Sequence, residues 1–541
     1  MSGLRIFSLL LFMSLFMVSS AHALDVPSGA DAISVTSVVP TSPPARTPRT
    51  AIDFQMTLIR TGLLAAGVLV FAWRLAGKRG QPNRATRAKT LLLVFLAIAA
   101  FASYYQFFRF SHARGFATSD NFHYYLGSKY FSELGYFGLY ECSLYSLTER
   151  GRPPVRGAGA QVRNLRNMKT EPVNVITQMG ADCPERFSKD RWVSFGDEVE
   201  FFSTKWPKHL GNATFLDHGY HPSPAWTLAG GSVSNISDLG DSYSAYILSR
   251  LDRFLIGGLL LALYWAFGLE TAALVALFWG TGLLWRYTWV GDAFLRHLWW
   301  LTAMIGVIAL KRGFNASAGS ALTLSTLFRI FPGAMGLGYL THALRTSLRT
   351  KKILPEYYAF TAGAVATFLI VSGLATWVSG QGLSVYQDFV LKLGGFAASP
   401  ISNDIGLGVA TDWIFPASST ASGLLRFTGV CAFLALFWRA VGRIKDWEAA
   451  AAGTLLIPIL TSPANYYFSF FAIAALTAAH RPRIGLIVLI TGLLWNVNGL
   501  LLYQQHSEFY WASIIAVVSC FAIVIELAKS NEEPEALRRP S

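Results

Sequence analysis

The sequence predicts an all-α polytopic membrane protein, and three observations carry that prediction. Its 541 residues are 53% hydrophobic and only 14% charged. The apolar residues fall in blocks of about 17 to 22, the length a helix needs to cross a hydrocarbon core of roughly 30 Å. The basic residues gather in short loops between those blocks, which marks the loops as cytoplasmic. A soluble chain of this length would show amphipathic helices or alternating strands instead.

The charge balance follows from the same placement. Lys and Arg total 45 against 31 Asp and Glu, an excess that in a soluble protein would suggest a nucleic-acid partner. Here the excess sits in loop clusters: Arg74 to Lys89, Lys311-Arg312, Arg345 to Lys352, Arg439 to Lys445, and Arg481 with Arg483. That pattern sets topology, so no nucleic-acid partner is expected.

Residues 1–23 read as a signal peptide, with Arg5 as basic start, Ile6 to Val18 as apolar stretch and Ala21-His22-Ala23 as cleavage motif. An uncleaved first helix is the alternative. Residues 24–110 hold a Ser/Thr/Pro-rich linker and the first two transmembrane helices, near 54–73 and 91–110. Residues 111–250 form a large periplasmic loop region, expected as helices lying on the membrane with irregular segments. Residues 251–528 form the transmembrane bundle, which brings the total to about eleven full spans. Residues 529–541 are a charged cytoplasmic tail.

One stretch departs from full spans. Residues 317–344 have basic clusters at both ends, yet are too short for two crossings. Two half-helices broken at Pro332 are expected there. Among the four cysteines, Cys431 and Cys520 fall in apolar spans. Cys142 and Cys183 share the large loop, where either a disulfide or two free thiols fits the compartment.

Asp120 is the first candidate for chemistry. It opens the loop after the second span, in Ser119-Asp120-Asn121-Phe122-His123-Tyr124-Tyr125. A carboxylate at a membrane boundary can take a proton from an acceptor hydroxyl within reach of both water and lipid. Its alternative role is to cap the following helix. Arg329 is the second, since a charge near membrane depth defaults to function, here to gripping a phosphate beside a helix N-terminus. Pairing with a carboxylate such as Asp292 is the competing role.

Polar residues at the outer ends of other spans add Asp292, His297, Asn403, Asp404, Asn465 and His506. The segment Asp217-His218-Gly219-Tyr220-His221 carries groups suited to a sugar or a metal. Its Gly and Pro residues equally suit a packed turn. No CxxC, HExxH, Walker or GxSxG pattern appears in the required context.

These residues also resemble a known group, the GT-C superfamily of polyprenyl-phosphate-sugar-dependent glycosyltransferases, most like glycosyltransferase family 87. Asp120 through Phe131 is similar to that family's Asp-x-x-x-Tyr-Tyr-x-Ala motif. Ala318-Gly319 through Arg329 and Pro332 resembles its Ala-Gly…Lys-x-x-Pro stretch, with Arg in place of Lys. Ser462-Pro463 before an aromatic span is similar to a late Ser-Pro element. Gly291-Asp292 stands where a Gly-Gln pair is common in the family, and residues 132–250 have no counterpart there.

The resemblance implies a GT-C-like helical bundle in a bacterial inner membrane, with the active site facing the periplasm. It implies transfer of a sugar from a polyprenyl-phosphate donor to a glycan, lipid or protein acceptor. Asp120 would be general base or acceptor-orienting carboxylate, with His123 and Tyr124 lining the site. Arg329, Asp292, Asp217, His218, His221 and Asn465 would contact substrate. No cofactor is assigned, and a divalent metal stays open. A transporter or lipid flippase, or a non-catalytic envelope assembly subunit, are the alternatives from other classes.

Overall fold

In hydrocarbon, every backbone N–H and C=O must bond within its own segment, so the apolar blocks of this chain have little choice but to become helices. The computed structural model describes residues 51–529, except 77–82, 109–116, 153–159, 206–211, 398–402, 503–505 and much of 237–249. The expected signal peptide, most of the linker and nearly all of the tail lie outside the described residues. About 79% of the described residues are helical. Sheet is confined, among the described residues, to one antiparallel hairpin of Gln161–Arg163 with Thr170–Pro172.

Among the described residues, six helices are long and apolar enough to cross a membrane: Ile52–Ala76, Arg87–Tyr104, Pro355–Val378, Thr420–Val441, Pro482–Leu502 and Ser507–Ala528. The sequence led us to expect about eleven. The difference lies in apolar segments that are short or broken. Gly453 and Pro458 help split 446–460 into Asp446–Gly453, Thr454–Leu456 and Ile457–Leu460. The next apolar stretch, Asn465–Ala479, runs as tight turns around Phe471–Ala474. Both are almost wholly buried, so their hydropathy reports protein interior rather than contact with lipid.

The stretch expected as half-helices forms Asn315–Phe328 and Gly333–Thr350, with Arg329 extended between them (φ −148°, ψ 136°). The first packs tightly on Pro355–Val378. A side chain at Gly319 would strike the Phe360 carbonyl, and one at Gly363 would strike that of Ala316, so the two backbones meet without side chains between them. On its other side, the Ser325 hydroxyl donates to the Trp299 carbonyl at 2.5 Å. The break at Arg329 is therefore held by both neighbours.

Residues 118–235 are more organised than the expected surface helices. They build their own aromatic core from Phe122, Tyr130, Tyr136, Tyr140, Phe195, Phe202, Phe215 and Tyr220, each fully or almost fully buried. A disulfide joins Cys142 in the helix Gly138–Glu149 to Cys183. Beside it, the buried Glu141 accepts from both Arg166 and Arg186 at 2.9 Å. Lys129 and Glu198 form a buried ion pair at 2.7 Å, which also satisfies the Tyr125 hydroxyl and the Leu239 amide.

Candidate functional site

The site is built on one short helix. Residues 118–129 run as an ordinary turn (Thr118–Asn121), a wider π turn (Phe122–Leu126) and an ordinary turn again (Gly127–Lys129). A π turn holds more than four residues, so side chains four apart stand almost directly above one another. Asp120, Tyr124 and Ser128 thus line up along one face. His123 is carried to a different side.

The Tyr124 hydroxyl is the hub of that face. Arg296 and Arg329 each donate to it at 3.1 Å. His221 Nε2 lies 3.1 Å from the same oxygen. His221 Nδ1 lies 3.0 Å from the Gly219 carbonyl, and a carbonyl only accepts, so Nδ1 carries the ring proton and Nε2 accepts from tyrosine. Burial, followed by the charge of Arg329, pushes the His221 pKa well below its ordinary value, which keeps the ring neutral.

Asp120 completes the cluster, its carboxylate 3.6 Å from Arg296. The Asp120 side chain keeps 24% of its exposure, whereas Arg296 keeps 9%, so the carboxylate faces an opening and the guanidinium backs it. Two aromatic rings complete the wall. Arg296 lies 4.4 Å over the Tyr466 ring and Arg329 lies 5.9 Å from the Tyr467 ring centre. Ser223 ties the His221 loop to the helix break by donating to the Leu327 carbonyl.

The charge count of this cluster is unequal. Two guanidiniums meet one carboxylate, and Arg329 has no ion-pair partner among the described residues. Buried cations without matching anions are costly, so an anionic group offered to this face would be strongly favoured. A phosphate suits two converging forks. A divalent cation does not: a lone carboxylate beside two guanidiniums is a poor seat for a second positive centre.

Several sequence candidates stand elsewhere or are already saturated. The Asp292 carboxylate is held by Arg253 (Nε at 2.8 Å) and by the Tyr287 hydroxyl at 2.6 Å. It pairs with Arg253, not Arg329, and acts as a brace, while its carbonyl accepts from Asn121 at 3.0 Å. Asn465 is buried, donating to the Leu284 carbonyl and accepting from Asn403, both at 2.7 Å. Both side chains, expected as substrate contacts, are thus held by protein partners.

His123, expected to line the site beside Asp120, is buried on another side of the helix. Tyr140 donates to the Thr214 carbonyl at 2.5 Å, so its oxygen accepts from His123 Nε2 at 2.8 Å. The other ring nitrogen faces Asp217 at 3.8 Å. Asp217 is drawn towards His218, whose main-chain N–H donates to it at 2.8 Å. Hydrogen bonds from His218, with His123 nearby, hold the carboxyl of the half-exposed Asp217 well below the usual range. Asp217 and His218 therefore form a separate patch, and of the three candidates in that segment only His221 reaches Tyr124. The one metal-like grouping among the described residues, Glu141 with Cys142 and Cys183, has both sulfurs locked in the disulfide.

Sequence reasoning missed Arg296. Its signal was legible: a lone arginine two residues before the apolar helix Leu298–Lys311, at the end opposite the basic pair Lys311-Arg312. No family model, curated protein or solved structure matches this chain.

Proposed function

We propose that this protein is a membrane glycosyltransferase of GT-C type, taking a sugar from a polyprenyl-phosphate donor at the periplasmic face of a bacterial inner membrane. The acceptor is a glycan, lipid or protein hydroxyl or amide. The observation that carries the reading is the convergence of Arg296 and Arg329 on Tyr124 beside the half-open carboxylate of Asp120. Such a site offers a base and an anion seat within one cluster.

In this reading the acceptor group gives its proton to Asp120 as its oxygen or nitrogen bonds the anomeric carbon. The bond from that carbon to the phosphate oxygen breaks, and the lipid phosphate leaves with the electron pair. Arg296 and Arg329 meet the growing phosphate charge. Arg296 also restrains Asp120 at 3.6 Å. Tyr124 holds the two guanidiniums in register and is itself fixed by His221.

The deciding experiment is sugar turnover from polyprenyl-phosphate donors in proteoliposomes, comparing the wild type with Asp120→Asn at equal folded yield. Loss of turnover with folding intact supports Asp120 as the base. Retained turnover removes it. Absence of turnover with every donor, together with substrate flux across the vesicle, would favour a transporter.

A further inference from the structure

Two turns along the same helix face from Asp120, beyond Tyr124, lies a cavity of about 360 Å³. Ser128, Thr227, Ser232, Asn235 and Ser379 supply polar groups to its wall, and Phe131 an aromatic ring. Pro224 and Thr227 line the cavity, and the intervening Trp226 sets its ring 5.3 Å from that of Tyr124. Close approach of two backbones shapes the floor. A side chain on Gly231 would come within 3.1 Å of the Ser128 carbonyl.

The polar wall is biased in one direction. The Ser128 hydroxyl donates to the Tyr125 carbonyl at 3.1 Å, Ser232 to Leu228 at 2.8 Å and Ser379 to Thr376 at 2.8 Å. Thr227 donates to Ser223 at 3.0 Å, and the Asn235 amide N–H to Gly231 at 2.8 Å. With the hydroxyl hydrogens committed, the Ser and Thr groups offer oxygen lone pairs and Asn235 keeps one amide N–H besides its oxygen, so a ligand that brings hydroxyl groups, which both donate and accept, fits best. An acceptor-only anion does not.

The charges of the wall point the same way. Both of its cations are already matched, Lys129 by Glu198 and Arg191 by Glu133. That contrasts with the surplus at Arg329. One side of the cavity is the end of the span Pro355–Val378, contributing Ala375, Val378 and Ser379. Trp377 there is 78% exposed, as expected for an aromatic at the lipid–water boundary.

We propose that this cavity binds a neutral, hydroxyl-rich group: a saccharide, either free or as the head of a neutral glycolipid in the adjacent leaflet. The site goes beyond the transferase reading and stands without it, because binding needs no turnover.

The test uses the full chain in nanodiscs, with maltose as the free probe and glucosyl-diacylglycerol as the tethered one. Maltose binding is followed by saturation-transfer NMR, and lipid retention by native mass spectrometry against diacylglycerol. Ser232→Trp, at an exposed position, and Gly231→Val each fill the cavity and are expected to weaken binding at least tenfold. Asp120→Asn should leave binding intact, which separates this site from the proposed chemistry. Loss of maltose binding in the filled variants supports a free saccharide, and selective loss of the glycolipid supports a tethered one. Equal binding by wild type and both filled variants, no binding of either probe, or preference for phosphatidylglycerol would each overturn the proposal.

Discussion

Arg296 and Arg329 share one acceptor: each donates to the Tyr124 hydroxyl at 3.1 Å, although 33 residues separate them in the chain and only one has a carboxylate beside it. Two like charges held this close destabilise the empty site, and the ligand that relieves them gains what they lose. Arg329→Gln is therefore expected to lower turnover of a polyprenyl-phosphate donor by roughly 10- to 100-fold, the worth of one or two charge-assisted hydrogen bonds. Thermal stability of the ligand-free protein should hold or rise, because one of the two like charges is gone. Arg329→Lys keeps the charge without the fork and should fall between. Donor titrations in proteoliposomes check both.

Tyr124→Phe leaves two guanidiniums and His221 Nε2 without their common partner. Removing that partner from a buried network costs on the order of 1–3 kcal/mol. The variant should unfold at a lower temperature than wild type and lose turnover as the arginines splay. Thermal unfolding in detergent, alongside turnover at a temperature where both fold, separates the two effects.

Glu198 neutralises the buried Lys129 and accepts from Tyr125 and the Leu239 amide. Glu198→Ala strands a charge away from water and should cost about 3–5 kcal/mol. Replacing the pair by Lys129→Met with Glu198→Leu removes the stranded charge and should recover much of that loss. Unfolding of the single and double variants under identical conditions is the check.

Lys392 is buried on the inner side of the helix Ser384–Ala397, with no hydrogen-bond partner for its amine among the described residues. Burial, then the nearby Arg163, lowers its pKa from 10.5 to about 7 against the opposing pull of Asp217. Between those two values the unfolded chain holds the proton and the folded chain does not, so stability rises with pH across that window. Below pH 7 the folded chain carries the full cost of a buried charge. Lys392→Met should therefore be more stable than wild type at pH 6, by about 2 kcal/mol or more. The advantage should shrink as pH approaches 10, and a Tm series across that range reads it directly.

Much of the molecule was legible because hydrocarbon permits so few backbone solutions. The long spans, and the break between Phe328 and Gly333, follow from apolar length, basic flanks and Pro332. The short segments were not legible: Asn465–Ala479 is as apolar as a span, yet it is buried by neighbours that no hydropathy profile records. Asp120, Tyr124 and Arg329 stand out by their position, but their geometry depends on partners far along the chain. His123 and Tyr124 are adjacent in sequence and part in space because a helix turns between them. Asp292 reads from sequence as a substrate contact or a partner of Arg329, and only the fold brings Arg253, 39 residues earlier, to hold it.

The π turn at Phe122–Leu126 gives this site an unusual kind of fragility. Its extra residue acts as a phase adjustment, setting Asp120 above Tyr124 and Tyr124 above Ser128. Removing one residue there would shorten the chain by almost nothing and leave hydropathy and helix content as they are. It would nonetheless turn the two sides of the cut against each other and break the alignment of Asp120, Tyr124 and Ser128. The stretch is thus specified by its length in whole residues as firmly as by its side chains, and a deletion that any composition-based comparison would overlook would erase the alignment.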